Sequence, residues 1–287
     1  MSRLAYVNGR FQPLSEAGVS VEDRGFQFAD GVYEVWAVFD GRLADAEGHF
    51  VRLERSLSEL RIDPPMSRAA LGQVLRETVR RNRVRDGIVY LQITRGAARR
   101  DHAFPKPGTP ATVVVTARRV DYAAEEAKAA KGVQVVTTPD IRWGRCDIKT
   151  VGLLPNALAK QAAREQGAYE AWLVDAEGKV TEGSSTNAWI VDGAGRLRTR
   201  GTTSNILRGI TRGSLIELAR ELQIPVIEEA FTVEEAKAAS EAFLTAASGF
   251  VMPVVAIDGV PVGNAKPGPV ALRLRSLYLD AARKGAV

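Results

Sequence analysis

The chain has 287 residues, 45% of them hydrophobic, enough to bury a substantial core and to form two domains of ordinary size. Its 39 basic and 34 acidic residues leave a charge of +5, but the signs are interspersed. The densest basic stretch, VRRNRVR at residues 79–85, lacks interleaved aromatics, so the surplus suits small anions and no nucleic-acid partner is expected.

No apolar run approaches the roughly 20 residues that span a bilayer. MSRLAYVNGR has no apolar signal core, and the single Cys146 cannot form an internal disulfide. These features predict a cytoplasmic protein with no membrane contact.

In chain order, AYVNGRF (5–11) and GVYEVWAVFDGRLA (31–44) alternate as strands do, and Asp40-Gly41 marks a hairpin turn. Phe50, Leu53, Leu57 and Leu60 recur at helical spacing, and that helix must end before Pro64-Pro65. A second helix covers about 67–82. The strands GIVYLQITRG (87–96) and ATVVVTARRV (111–120) complete a first α/β domain, residues 1–120.

The second α/β domain is expected over residues 121–287. AAEEAKAAKG (123–132) is a helix, VQVVTT (133–138) a strand, and NALAKQAAREQG (156–167) a helix stopped by Gly167. YEAWLVDAEGKVTEGSSTNAWIVD (169–192) reads as a hairpin. GITRGSLIELARELQ (209–223) is a helix with Leu215, Ile216, Leu218 and Leu222 on one side. Strands at EAFLTAA (241–247) and VMPVVAIDG (251–259) precede a C-terminal helix. The order fits an α+β fold of two domains with a cleft between them.

Lys149 stands in CDIKTVGLLPN, a mainly apolar setting in which burial would lower its pKa and make the amine a nucleophile. Taken alone it is more readily a surface lysine. Glu182 stands against hydroxyl residues in VTEGSSTNAW (180–189). The helix starting near Gly209 offers free N–H groups at Ile210 and Thr211, with a hydroxyl at Thr211, and Arg52 in HFVRL is a candidate cation. An amine, a carboxylate and an anion site of this kind are what pyridoxal phosphate requires for its aldehyde, ring nitrogen and phosphate. Period-two alternation puts Tyr33, Val35 and Ala37 on one face of their strand, with Glu34 and Trp36 on the other. Arg100 and His102 lie two apart on a Gly- and Ala-rich loop, where a guanidinium can grip a carboxylate.

Six motifs, EDRGFQFADGVYEV, HFVRLERS, ITRGAARRDHAFP, IRWGRCDIKT, VTEGSSTNAW and ILRGITR, occur in collinear order over nearly the whole chain. Together they resemble the fold-type IV, or class IV, pyridoxal-phosphate aminotransferases, and within them the D-amino acid aminotransferases. The resemblance implies a two-domain enzyme with the cofactor in the interdomain cleft. It implies that Lys149 holds pyridoxal 5′-phosphate and acts as the base, and that Glu182 pairs with the pyridine nitrogen. Arg52, Ile210 and Thr211 would bind the phosphate, and Leu207 would pack on the ring. Ala247 stands where the family has a phosphate-contacting hydroxyl, so only its N–H would serve.

On the substrate side the resemblance implies that Tyr33, Arg100 and His102 trap the α-carboxylate, with Val35 beside them. The loop would be lent by a neighbouring subunit, which makes a homodimer. Alignment by the histidine favours Arg100 over the adjoining Arg99, and His49 and Glu170 match positions behind the pyridine nitrogen. The implied reaction is ping-pong transamination between D-alanine or D-glutamate and pyruvate or 2-oxoglutarate, with no metal. Arg100 and His102 disfavour a branched-chain L-aminotransferase, an R-selective amine transaminase and an aminodeoxychorismate lyase. Lys149 and Glu182 disfavour a basic binding protein that kept only the fold.

Overall fold

The computed structural model describes residues 3–287. The chain divides into two units. The first takes the residues up to Tyr122 together with Ile148–Gly152 and Gly285–Val287, and the second takes Ala123–Asp147 and Leu153–Lys284.

The first unit begins with β1 (Leu4–Val7) and β2 (Arg10–Pro13), an antiparallel pair closed by Asn8 and Gly9. Both turn residues have positive φ, 45° and 93°, as a two-residue hairpin turn of the twist-matching type requires. The single strand expected over 5–11 is therefore two. A short helix follows, α1 (Arg24–Phe28), then β3 (Gly31–Phe39) and β4 (Arg42–Leu43), which turn at Asp40-Gly41 as expected. Next come α2 (Ala46–Glu59), α3 (Arg68–Arg81), β5 (Gly87–Thr94) and β6 (Thr112–Arg119). The Ser67 side chain caps α3 by accepting from Ala70 N, and the strands join in the order β2-β1-β6-β5-β3-β4.

Helices α2 and α3 contribute Leu53, Leu57, Leu71, Leu75 and Val79 to a core shared with Trp36, Val89, Leu91 and Ile93 of the sheet. On the other face of the same strands, Tyr33, Val35, Tyr90 and Gln92 stay only half-buried. Alternation thus splits β3 into a structural row and an open row.

The segment Ile148–Gly152 joins this unit rather than the second domain expected from the sequence, because its backbone extends the pairing of β3. Tyr33 N donates to Lys149 O at 3.0 Å, Val151 N donates to Gly31 O at 3.1 Å, and Val32 bridges Thr150. Ile148 is buried in the same core. Lys149 is thereby fixed beside Tyr33 across more than a hundred residues of sequence.

The second unit starts one residue into α4 (Tyr122–Lys131) and runs on through β7 (Val133–Pro139), α5 (Leu154–Glu165), β8 (Glu170–Val174), β9 (Val180–Gly183) and β10 (Asn187–Val191). It continues through β11 (Leu197–Arg198), α6 (Ile210–Glu221), β12 (Val226–Ile227) and α7 (Val233–Lys237). It ends with β13 (Glu241–Ala246), β14 (Phe250–Ile257), β15 (Val260–Pro261) and α8 (Pro269–Lys284). Its sheet has the order β12-β11-β10-β13-β14-β7-β8-β9, with β15 on β14.

The hairpin expected over 169–192 is only its first half. β9 pairs with β8, while β10 pairs with β11 and β13. In a flat sheet the five strand steps from β9 to β10 would separate them by roughly 24 Å. Residues 184–186 join them, and Gly183 N donates to Thr186 O at 2.7 Å. The sheet therefore curls back on itself, and the turn after Glu182 sits where its ends meet. No described helix is long and apolar enough to cross a membrane.

Candidate active site

Two groups of site residues stand out, one in each unit. In the first, the half-buried Lys149 places its Nζ 4.2 Å from the centroid of the Tyr33 ring. Among the described residues this amine makes no hydrogen bond or ion pair. Its main chain is held instead, by the β3 pairing and by a 3.3 Å bond from Lys149 N to Ser56 Oγ. The Tyr33 ring stacks on Tyr90, whose hydroxyl donates to Gln92 Oε1 at 2.7 Å. Burial, aided by the neighbouring Tyr33, pushes the Tyr90 hydroxyl up to about 12, so it remains a donor at any ordinary pH.

Behind β3, on the opposite face, Glu34 receives Arg52 in a two-pronged pair, Nε to Oε1 at 2.7 Å and Nη2 to Oε2 at 2.8 Å. His49 Nδ1 lies 2.7 Å from Glu34 Oε2. An ionised carboxylate can only accept, so Nδ1 must carry the proton. Burial alone would raise the Glu34 pKa, but the Arg52 charge and the hydrogen bonds from Arg52 and His49 outweigh it and hold the carboxyl at about 2. His49 is pushed down, chiefly by its own burial, and is therefore neutral. Arg52 thus lies in a buried cluster, with two of its nitrogens on Glu34.

Arg100 and His102 are exposed, on the irregular segment between β5 and β6. Phe28 lies against both, with the Arg100 guanidinium 4.7 Å from its ring and the His102 ring 5.5 Å away.

In the second unit, Glu182 is buried on β9 and faces donors. Arg142 Nη1 bonds its Oε1, Asn187 Nδ2 donates to Oε2 at 2.9 Å, and Leu207 N lies 3.1 Å from both oxygens. Arg142 is anchored in turn by Asp140, through Nε at 2.9 Å and Nη2 at 2.8 Å. Burial opposes the charge on Arg142, yet Asp140 and Glu182 together raise its pKa above the ordinary value. Burial likewise works against the Asp140 carboxylate, and Arg142 overrides it, so that pKa is lowered.

Asn187 also donates to Leu207 O at 3.0 Å, which ties the loop before α6 to Glu182. That helix starts at the N-cap Gly209, which supplies no side-chain cap to its first N–H groups. Buried Thr211 lies in its first turn, 3.3 Å from the Tyr278 hydroxyl. Ile210 and Leu207 are half-buried, as is Ala247 in the turn between β13 and β14.

The structure thus brings Lys149 to Tyr33, Arg52 to Glu34 and His49, and Glu182 to Leu207. Of the two residues expected behind the ring nitrogen, His49 bonds Glu34. Glu170 bonds Ser185 Oγ at 2.9 Å and pairs with Lys160 at 3.3 Å, and it also receives Ser184 Oγ. Sequence reasoning assigns no role to Glu34, Arg142 or Asn187. Arg142 lies inside IRWGRCDIKT, but nothing local says that it reaches Glu182, forty residues on.

The model of the family described as amino-transferase class IV matches residues 31–257. The chain belongs to the class IV aminotransferases. Among curated relatives, it is 40% identical to a D-alanine aminotransferase of Bacillus licheniformis over 269 residues, 94% of this chain and 93% of that one. It is 40% identical to the D-alanine aminotransferase of Staphylococcus haemolyticus over 271 residues, 94% of each. Among solved structures, a T.th. branched-chain amino acid aminotransferase with pyridoxamine 5′-phosphate has a TM-score of 0.89 at 32% identity, covering 99% of this chain and 95% of that one. An Escherichia coli branched-chain amino acid aminotransferase reaches 0.90 at 25%, covering 100% and 97%. This class IV aminotransferase therefore shares its fold with enzymes named for more than one amino acid.

Proposed function

We propose that this aminotransferase uses pyridoxal 5′-phosphate to move amino groups between D-amino acids, such as D-alanine and D-glutamate, and 2-oxo acids, such as pyruvate and 2-oxoglutarate, in ping-pong fashion. The observation that carries the proposal is the contrast between its two anchors. The Lys149 amine has no polar partner among the described residues, whereas the Glu182 carboxylate is held by Arg142, Asn187 and Leu207 N–H. The donor set fits the cofactor: an uncommitted amine for an aldehyde, a fixed carboxylate for a ring nitrogen, and an uncapped helix N-terminus for a phosphate. The two relatives named D-alanine aminotransferase support the D-side.

When bound, pyridoxal phosphate supplies an electron sink for the substrate Cα. In this reading Lys149 holds the cofactor and accepts the Cα proton. Glu182 keeps a proton on the ring nitrogen, and Leu207 packs on the ring. The N–H groups of Ile210, Thr211 and Ala247, the Thr211 hydroxyl and Arg52, oriented by Glu34, bind the phosphate. Tyr33, Val35, Arg100 and His102 receive the substrate, the last two gripping its carboxylate. Lys149 can take a proton from one side only, so the side that anchors the carboxylate decides which enantiomer reacts.

The working unit is a homodimer in the cytoplasm. Leu154 and Leu158 support the dimer, since they share one face of α5 and are 71% and 56% exposed.

Rates with D-alanine and L-leucine test the proposal. An L-isomer bound in the reactive orientation leaves its carboxylate without Arg100, a loss of roughly 2–5 kcal/mol. D-alanine should therefore be favoured by about thirtyfold or more. A preference for L-leucine would refute the reading.

A further inference from the structure

The segment from Arg99 to Phe104 has no regular secondary structure and is exposed, yet it is tied down by one of the most deeply buried cations in the first unit. Arg24 is only 3% exposed. Its Nη1 donates to Asp101 O at 2.7 Å and to Ala103 O at 3.2 Å, and its Nη2 lies 3.5 Å from His102 O. These contacts reach three consecutive carbonyls that flank and include His102. They hold the path of the backbone whatever its side chains do.

Arg24 is itself fixed. Its Nε donates to Asp30 Oδ2 at 2.7 Å, and the same oxygen receives Arg95 Nε at 2.7 Å. Arg95 adds Nη2 to Asp30 Oδ1 at 2.9 Å and anchors on Leu60 O and Arg61 O. Its guanidinium lies 3.6 Å from the Phe104 centroid, which gives the segment a second tie. Arg24 rises from α1, which is seated hard on β5: a Cβ at Gly25 would come within 2.3 Å of Thr94 Cγ2. Burial works against the Asp30 carboxylate, but Arg95 and Arg24 together override it and hold its pKa below the usual range. Burying an Asp between two arginines is costly, and an irregular exposed loop needs no such anchor unless its position matters.

We propose that Arg24, Asp30 and Arg95 form a latch that fixes the Arg100–His102 segment, with Arg24 as a positioning residue for carboxylate recognition. This rests on the carboxylate role proposed above for Arg100 and His102. The latch acts through backbone carbonyls, so a charge at position 24 does not suffice: a lysine has no fork with which to span three of them.

The test compares Arg24→Lys, Phe104→Ala and Arg100→Ala with the wild type in two assays. One is steady-state turnover of D-alanine. The other is limited trypsin digestion, scored by mass spectrometry for new ends after Arg99 and Arg100. Arg24→Lys should raise the KM for D-alanine by about tenfold or more while kcat stays within about threefold, as loss of charge-assisted hydrogen bonds implies. It should also speed cleavage at Arg99 and Arg100. Phe104 is 48% exposed, so Phe104→Ala will fold and should show both effects in smaller measure.

Equal loss in kcat and KM, or unchanged cleavage, overturns the latch as a positioning device. The two proposals fail separately. If Arg100→Ala leaves the KM unchanged while Arg24→Lys frees the segment, the carboxylate reading falls, and with it the positioning role of Arg24, while the latch on the backbone stands. If Arg100→Ala raises the KM and neither latch variant does, the latch falls alone.

Discussion

Glu34 and Tyr33 are neighbours on one strand and face opposite ways, and the pair shows how single residues divide labour in this protein. Tyr33 lies open beside Lys149, while Glu34 is buried against Arg52 and His49. Removing one partner of such a buried pair leaves an uncompensated charge, so Glu34→Gln should cost about 3–5 kcal/mol near neutral pH. The pH dependence follows from the signs. Glu34 titrates at about 2 in the folded chain against 4.5 ordinarily. Its contribution is therefore fully present above 4.5 and is lost as the pH falls toward 2, up to about 3 kcal/mol. The lowered His49 pKa acts in the same direction from about 6.5 downward, because the buried ring must stay neutral. Urea unfolding between pH 7 and 3 should show the wild type weakening and the Glu34→Gln deficit holding level down to about 4.5 and shrinking below it. A deficit that is constant across this range would mean that the carboxylate charge is not what Arg52 requires.

Gly209, the N-cap residue of α6, closely approaches the strand β10, and on the proposed function this junction shapes the phosphate end of the site. A Cβ added at Gly209 would fall 2.0 Å from Asn187 Oδ1, the side chain that also holds Glu182 and Leu207 O. Gly209→Ala should therefore disturb the helix N-terminus and the Glu182 anchor together. Cofactor retention, read from the loss of visible absorbance on dilution, should weaken at least about tenfold, as loss of an anion site of this kind implies. Unchanged retention would separate α6 from phosphate binding.

How far the elements can be read from sequence depends on the range of the interactions that make them. The limits of α3 are legible almost to the residue, because Ser67 caps it locally and Leu71, Leu75 and Val79 repeat at helical spacing. The β3 alternation is equally plain, and it separates Tyr33 and Val35 from Glu34 correctly. The Asn8-Gly9 turn is present in the letters but is hidden within a short alternating run. What stays out of reach is pairing at a distance. Nothing near residue 149 says that its backbone continues the β3 ladder, and nothing near β10 says that it leaves β9 for β13. The candidate site residues Lys149 and Glu182 can be named because their motifs are local, whereas Arg142 and Glu34 make their contacts across forty and eighteen residues.

At the scale of the whole molecule, the role proposed for Arg100 raises the question of which subunit's site it would serve. Arg24 ties the backbone of the Arg100 segment to its own chain, and the Arg100 side chain is exposed. The apolar face of α5 at Leu154 and Leu158 is a surface that a second copy can cover. If each subunit lends Arg100 to its neighbour, subunits carrying Arg100→Ala and subunits carrying Lys149→Ala complement one another. Each mutant dimer lacks one function at both sites. In a mixed dimer one site has both wild-type residues and the other has neither. Random exchange makes half of all dimers mixed, and half of their sites are intact, so about a quarter of the wild-type activity toward D-alanine should return. If Arg100 serves its own subunit, every site of a mixed dimer lacks one residue and no activity returns. Differently tagged subunits, with mixed dimers confirmed by native mass spectrometry, make the two outcomes unambiguous. Mixed dimers that form and stay inactive would place Arg100 on its own subunit's site, and the dimer would then be a matter of stability rather than of catalysis.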